Sequence, residues 1–535
     1  MIEFQQVTIR YPDAPAPAIQ DVNFKIAEGE FALLAGPTGS GKSTLLGAVN
    51  SLVPRFTGGI MSGRVTVAGL DTRDHVPREL AHIVGRVGQD PLAGFVIDTV
   101  ERELAYSMEQ LAFPPAKMRT RVEETLDLLS IAELRDRPLL SLSGGQQQRV
   151  AIGSVLTAGA RVLVLDEPTS ALDPTSAEEV LAALLRLVHD LGVTVLIAEH
   201  RLERVLEYAD RLLLIDRDGQ VASGAPSELI SRSPVAPPVV QLGDALGWEP
   251  IPVSVRDARR LAPALRESLA QVAYPPSSAP TGEGLVASGI EVDYGELRAV
   301  REVDVEFPAG QVTVLLGRNG SGKSSLLWAL TGAGKLDAGR FSIHGEVLSS
   351  ASLKQIRGHL RMVPQTAADL LYLDSVAAEC HQADTAAAVG SGTCRALLDA
   401  LAPGIGDEQN PRDLSEGQRL ALALAVQLSS DPQVLLLDEP TRGLDYQGKA
   451  ALVAHLRGLA LAGCAICVAT HDVEFAALVA DRAVVMAGGE VIAAGSAREV
   501  LGSSAIFSPQ VARVLAPLEW LSVTEVLTAL GGPDA

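Results

Sequence analysis

Aromatic side chains are scarce: Phe, Trp and Tyr make up 4% of the 535 residues. Any core must therefore be filled by small aliphatic side chains, and 47% of the chain is hydrophobic against 20% charged. That balance excludes wholesale disorder and suits packed α/β layers. Positive charge is also short. Lys and Arg number 44 against 65 Asp and Glu, a formal net charge of -21. A protein that grips nucleic acid or the ribosome usually carries a basic footprint, so no nucleic-acid partner is expected, although a local basic patch stays open. Long hydrophobic runs are missing too. The longest, residues 458–470, is broken by two glycines, and a bilayer span needs roughly 20 apolar residues. Met1-Ile2-Glu3-Phe4 has no basic region leading into an apolar one, so no secretory signal is expected. The expectation is a cytoplasmic protein whose membrane link, if any, runs through a partner. Cysteines number four: Cys380, Cys394, Cys464 and Cys467. The last two form a C-x-x-C inside strand-like sequence, where residues three apart face opposite ways, and no second pair sits at zinc spacing. Buried thiols are the expectation.

What the chain does contain, it contains twice. Gly36-Pro37-Thr38-Gly39-Ser40-Gly41-Lys42-Ser43-Thr44 returns as Gly317-Arg318-Asn319-Gly320-Ser321-Gly322-Lys323-Ser324-Ser325. Leu142-Ser143-Gly144-Gly145-Gln146 returns as Leu414-Ser415-Glu416-Gly417-Gln418, and Leu165-Asp166-Glu167-Pro168-Thr169 as Leu437-Asp438-Glu439-Pro440-Thr441. An internal repeat of this length sets the domain organisation. Two copies are expected at residues 1–232 and 284–502, with 233–283 between them and a tail at 503–535. The end of the middle segment, around Tyr274, is rich in Pro, Ala and Ser and reads as an extended linker. Its earlier part faintly echoes the tail: a Pro-led apolar stretch, then Trp248 or Trp520, then Val253-Ser254-Val255 or Val523-Thr524-Glu525. Either each copy carries a small C-terminal appendage or the similarity is chance.

Apolar runs at 31–35, 161–165 and 193–198, with counterparts at 312–316, 434–437 and 465–469, read as buried parallel strands, and 177–191 as a helix. The fold class is α/β, two tandem P-loop NTPase domains, each a mostly parallel sheet with flanking helices. G-x-x-x-x-G-K-[ST] between a strand and a helix is a phosphate cradle: the glycines let successive N–H groups face the phosphates of ATP. Lys42 and Lys323 should reach the outer phosphates, and the Ser43 and Ser324 hydroxyls should bind Mg2+. Asp166 and Asp438, at strand ends, can hold the same ion. Glu167 and Glu439 follow, placed to orient and deprotonate an attacking water. His200 and His471 recur at matching strand ends, a repetition that favours contact with the terminal phosphate over two unrelated strand-end histidines.

Together these motifs resemble the nucleotide-binding domains of ABC transporters, over nearly the whole chain except linker and tail. Leu-Ser-Gly-Gly-Gln is the most specific element. The resemblance implies a helical subdomain carrying that signature and a head-to-tail pairing of the two halves. One ATP site would then combine Lys42, Ser43, Asp166, Glu167 and His200 with Ser415 and Gly417. The other would combine Lys323, Ser324, Asp438, Glu439 and His471 with Ser143, Gly144 and Gly145. It further implies that Gln89 and Gln365 are the glutamines contacting Mg2+ and water, and that Tyr11 and Tyr294 stack on adenine. Asp173 and Asp445 would be the aspartates of a loop crossing between the domains. Glu416 departs from the pattern, standing where the first signature has Gly144. Pointed at the nucleotide it would weaken that site; pointed outward it would change nothing.

Residues 89–106 and 198–204 look like those of energy-coupling-factor importer ATPases, which take up vitamins and metal ions. That resemblance implies two partners, a transmembrane coupling subunit and a small membrane substrate-binding subunit. The tandem ATPase of sugar importers is similar in length, but one half there is typically degenerate, whereas both halves here keep Lys, Asp, Glu and His. Soluble tandem ATPases acting on ribosomes or DNA share the layout but carry a long charged helical linker.

Overall fold

A computed structural model describes residues 1–531 except 13, 15, 234, 277 and 349–352. Positions 234 and 277 of the expected linker, and 532–535 of the expected tail, lie outside the described residues. The chain divides into two units, Met1–Ala258 and Arg259–Ala535. The division falls within the helix Val255–Leu261.

In the first unit a six-stranded sheet runs in the order Val221–Gly224, Arg211–Ile215, Phe31–Ala35, Thr194–Ala198, Val162–Asp166, Val84–Val87. All neighbours are parallel except the first pair. Phe31–Ala35 is buried along its whole length, because helices and a second sheet cover both faces, and its uniformly apolar sequence reflects that. The second sheet is antiparallel, in the order Ile19–Ile26, Ile2–Arg10, Ile60–Val67, Leu70–Asp71. Its outer strand Ile19–Ile26 alternates apolar and polar residues, as a half-exposed strand must. The helix Pro174–Leu191 starts from Asp173, whose carboxylate caps the Ser176 N–H, and stops at Gly192 in the left-handed conformation.

The second unit repeats the plan. Its main sheet is ordered Leu360–Val363, Val434–Asp438, Ala465–Ala469, Val312–Leu316, Arg482–Ala487, Glu490–Ser496, with Gly282–Tyr294 and Leu297–Ala309 in the antiparallel sheet. Cys464 packs into the core on one face of the main sheet and Cys467 into the core on the other. All four cysteines are buried free thiols. In each unit a helical layer carries the signature. Its three helices are Val100–Gln110, Pro115–Leu128 and Gly144–Leu156 in the first, and Val376–Ala387, Thr393–Leu401 and Glu416–Leu428 in the second.

Beyond each main sheet, chain order repeats again: a short helix (Pro238–Ala245 or Gln510–Leu515), a tryptophan (Trp248 or Trp520), then a helix capped by Ser254 or Ser522. Within the second unit, residues 259–276 lie on the tail. Arg266 donates to the Val514 carbonyl at 2.8 Å, and Tyr274 packs on Trp520 with ring centroids 5.0 Å apart. Among the described residues, no helix is long and apolar enough to cross a membrane.

Candidate active site

Each glycine-rich loop leaves a fully buried central strand and opens a helix, Lys42–Val49 in the first unit and Lys323–Leu330 in the second. The last loop glycine makes the turn possible. Gly322 has φ +101°, and a Cβ there would collide with the Ala299 carbonyl oxygen; Gly41, at φ +99°, faces the Ala18 carbonyl oxygen in the same way. The buried Lys42 ammonium donates to the carbonyls of Gly36 (3.0 Å) and Pro37 (2.9 Å). Lys323 donates to Gly317 (2.8 Å) and Arg318 (3.1 Å). Each loop therefore holds a positive charge in a glycine-rich turn that opens a helix, an arrangement suited to phosphate. The hydroxyls of Ser40 and Ser321 are buried in these loops without a hydrogen-bond partner among the described residues.

Next to each loop a strand-end carboxylate meets the hydroxyl of the residue after the lysine, Asp166 with Ser43 and Asp438 with Ser324. Burial raises the pKa of both carboxyls, and the neighbouring Glu167 or Glu439 raises it further; the serine hydroxyl and the lysine act against this. One oxygen of Asp438, Oδ1, is buried with no hydrogen-bond partner among the described residues. Hard oxygen ligands crowded by negative charge, one of them unsatisfied, fit Mg2+.

Glu167 and Glu439 both adopt φ +50°, a left-handed conformation that non-glycine residues seldom take. Each is pinned across the sheet: the Glu167 N–H donates to Ala198 O at 2.9 Å and the Glu439 N–H to Ala469 O at 2.8 Å. Such strain, repeated at the same position of both copies, is of the kind that clusters at active sites. The histidines then reach the carboxylates. His200 Nε2 lies 2.9 Å from Glu167 Oε1, and His471 Nδ1 lies 2.8 Å from Glu439 Oε2. Gln89 Nε2 donates to Glu167 Oε2 at 3.2 Å. In the second unit a cleft of about 430 Å³ is lined by residues 319–325 of the loop together with Tyr294, Gln365 and Glu439. The structure thus brings the predicted loop, glutamine, glutamate and histidine together in each copy.

The two tyrosines differ. Tyr294 is half exposed at the cleft, while Tyr11 packs against the core and its hydroxyl meets Thr44 Oγ1 at 3.1 Å. Ser143 and Ser415 cap their helices. Their hydroxyls accept from the N–H of Gln146 and Gln418, and those glutamine side chains accept in return from the serine N–H. Ser143, Ser415 and Glu416 are exposed at the start of these helices. The Glu416 stem lies over Gly443, and its carboxylate, more than half exposed, is 3.7 Å from Arg419. Asp173 and Asp445 cap the helices that follow them.

Residues to which the sequence assigned no site role also enter the site. Arg86 comes within 3.9 Å of Asp166. Glu199 accepts from the N–H (2.8 Å) and hydroxyl (2.7 Å) of Thr169, two residues beyond Glu167. Arg204 donates to the carbonyls of Thr169 (3.0 Å) and Leu172 (3.1 Å).

The profile of the ABC transporter family matches residues 19–170 and 300–442. The chain is an ABC transporter ATP-binding protein. As an ABC ATPase it binds and hydrolyses ATP. A Streptomyces avermitilis protein, provisionally named an ABC transporter ATP-binding protein, is 54% identical to this ABC protein over 99% of the chain and 100% of its own length. A Bacillus subtilis protein under the provisional name of HMP/thiamine import ATP-binding protein YkoD is 30% identical over 98% of the chain and 97% of its own. Among solved structures, an archaeal ribosome recycling factor aligns over 93% of the chain and 91% of its own with a TM-score of 0.58. At 20% identity that likeness shows the ABC fold alone.

Proposed function

We propose that this ABC protein is the motor subunit of an energy-coupling-factor type importer for a vitamin or a metal ion. It would sit on the cytoplasmic face of the membrane, beneath a transmembrane coupling subunit and a small substrate-binding subunit. Its cassettes, 1–232 and 284–502, would pair head to tail. The observation that carries the reading is the duplication of a complete set of catalytic groups, with a glutamate held 2.9 or 2.8 Å from a histidine beside each phosphate loop. The full-length likeness to a protein named for HMP/thiamine import supports the importer class.

In this reading the loop N–H groups and Lys42 or Lys323 hold the ATP phosphates. Ser43, Gln89 and Asp166 in one site, and Ser324, Gln365 and Asp438 in the other, would hold Mg2+, which supplies charge neutralisation at the phosphates. Glu167 and Glu439 orient the attacking water and take its proton. His200 and His471 keep those carboxylates aimed and hydrogen-bond the terminal phosphate. The signature helix of the opposite half brings Ser143, Gly144 and Gly145, or Ser415 and Gly417, to close each site with a helix N-terminus. ATP then joins the halves until hydrolysis, and the joined and separated states drive the membrane subunits.

Affinity purification of the full-length chain from membranes tests this. Recovery of a polytopic membrane protein together with a small integral membrane protein is expected. Salt-sensitive recovery of ribosomes or DNA instead would overturn the importer reading.

A further inference from the structure

We infer that Glu199, together with Arg204, is a positioning residue of the first ATP site that grips the loop carrying Glu167, and that the second site is built without this grip. The inference rests on the catalytic reading of Glu167 given above.

The loop from Glu167 to Leu172 joins the proposed base to Asp173, so its position sets where the Glu167 carboxylate points. Glu199 is 1% exposed, an unusual place for a carboxylate unless it is partnered. Its Oε1 takes both the N–H and the hydroxyl of Thr169. Arg204 holds the same loop from the other side, at the carbonyls of Thr169 and Leu172. Ser170 closes the turn by donating to the Glu167 carbonyl at 3.0 Å. Glu199 also precedes His200, whose ring reaches the Glu167 carboxylate. One strand end therefore fixes both the side chain and the backbone loop of the base.

The second copy has Thr470 and Phe475 at the matching positions, so neither a carboxylate nor a guanidinium is available there. Thr470 instead donates directly to Glu439 Oε2 at 3.3 Å, and His471 N–H approaches the same oxygen at 3.4 Å. The Thr441 hydroxyl, counterpart of the one Glu199 binds, is buried with no partner among the described residues. The first glutamate is thus aimed through its loop as well as its carboxylate, the second through contacts to its carboxylate.

The test uses the full-length chain in a Glu439→Gln background, where turnover comes from the first site. Glu199→Ala is expected to lower kcat by about tenfold, the scale of a sub-ångström misplacement, with the KM for ATP changed by less than about twofold. Glu199→Gln keeps the acceptor oxygen and should restore most of the rate. An unchanged kcat in Glu199→Ala, or a Gln variant as slow as the Ala variant, overturns the positioning role. The double variant Glu167→Gln, Glu439→Gln separates the two readings. Residual turnover there overturns the catalytic role of Glu167, and the positioning role with it. Loss of turnover there, alongside an unchanged Glu199→Ala, overturns the positioning role alone.

Discussion

Gly443 and Glu416 should be energetically coupled. Gly443 has φ +71°, and a Cβ added to it would lie 2.9 Å from both Cβ and Cγ of Glu416. Gly443→Ala therefore incurs two costs: about 1–2 kcal/mol for a left-handed L-residue, and about 1–3 kcal/mol for the overlap. For a unit of this size each kcal/mol lowers Tm by about 2–4 °C, so a drop of about 4–20 °C is expected for the second unit. Glu416→Gly removes both overlapping atoms, whereas alanine would leave one of them. In that background only the backbone cost remains, and Gly443→Ala should lower stability by about 1–2 kcal/mol. The cost of placing glycine in the first helical turn cancels in the cycle. Thermal unfolding of the four proteins, with ATPase followed in parallel, should give a coupling of about 1–3 kcal/mol. A coupling below about 0.5 kcal/mol, the scatter of independent sites, would place the Glu416 stem elsewhere. The first copy has Gly144 and Ala171 at these two positions.

Three further outcomes are expected. Burial pushes the Glu199 carboxyl up to about 7 from 4.5, so the folded state binds its proton more tightly than the unfolded state does. The wild type should therefore lose stability relative to Glu199→Gln as pH rises from about 4.5 through 7, by about 3 kcal/mol in total; a difference constant across that range, read from denaturant midpoints, refutes the assignment. Gly322→Ala should abolish ATP binding at the second site, because both its φ and the Ala299 carbonyl forbid the side chain; fluorescent-nucleotide titration in a Lys42→Ala background reads it. Tyr294→Ala should weaken that same binding by about 0.5–1.5 kcal/mol if the ring stacks on adenine, with Tyr294→Phe close to wild type.

The phosphate loops, strand-end carboxylates and signature helices were legible because each is set by backbone within a few consecutive residues. Glycine placement, the lysine and the serine declare themselves without tertiary context. The direction of Glu416 was not legible, since it depends on Gly443, which reaches it only after the sheet and helical layer have packed. Glu199 was visible within residues 198–204, but its partner Thr169 belongs to the neighbouring strand's loop, and only the parallel pairing of Val162–Asp166 with Thr194–Ala198 brings the two together. Arg86 reaches Asp166 across another such pairing. The tyrosines read alike from their place in the chain and differ in the fold, because Tyr11 meets a threonine hydroxyl while Tyr294 stays open at its cleft.

Both cassettes should be catalytic. Steady-state ATPase of the full-length chain, measured with its membrane partners for Glu167→Gln, Glu439→Gln and the pair, tests this most directly. Each single variant should lower turnover clearly, and the pair should lose about 100-fold or more. A single variant that turns over at the wild-type rate would show that its site is not catalytic.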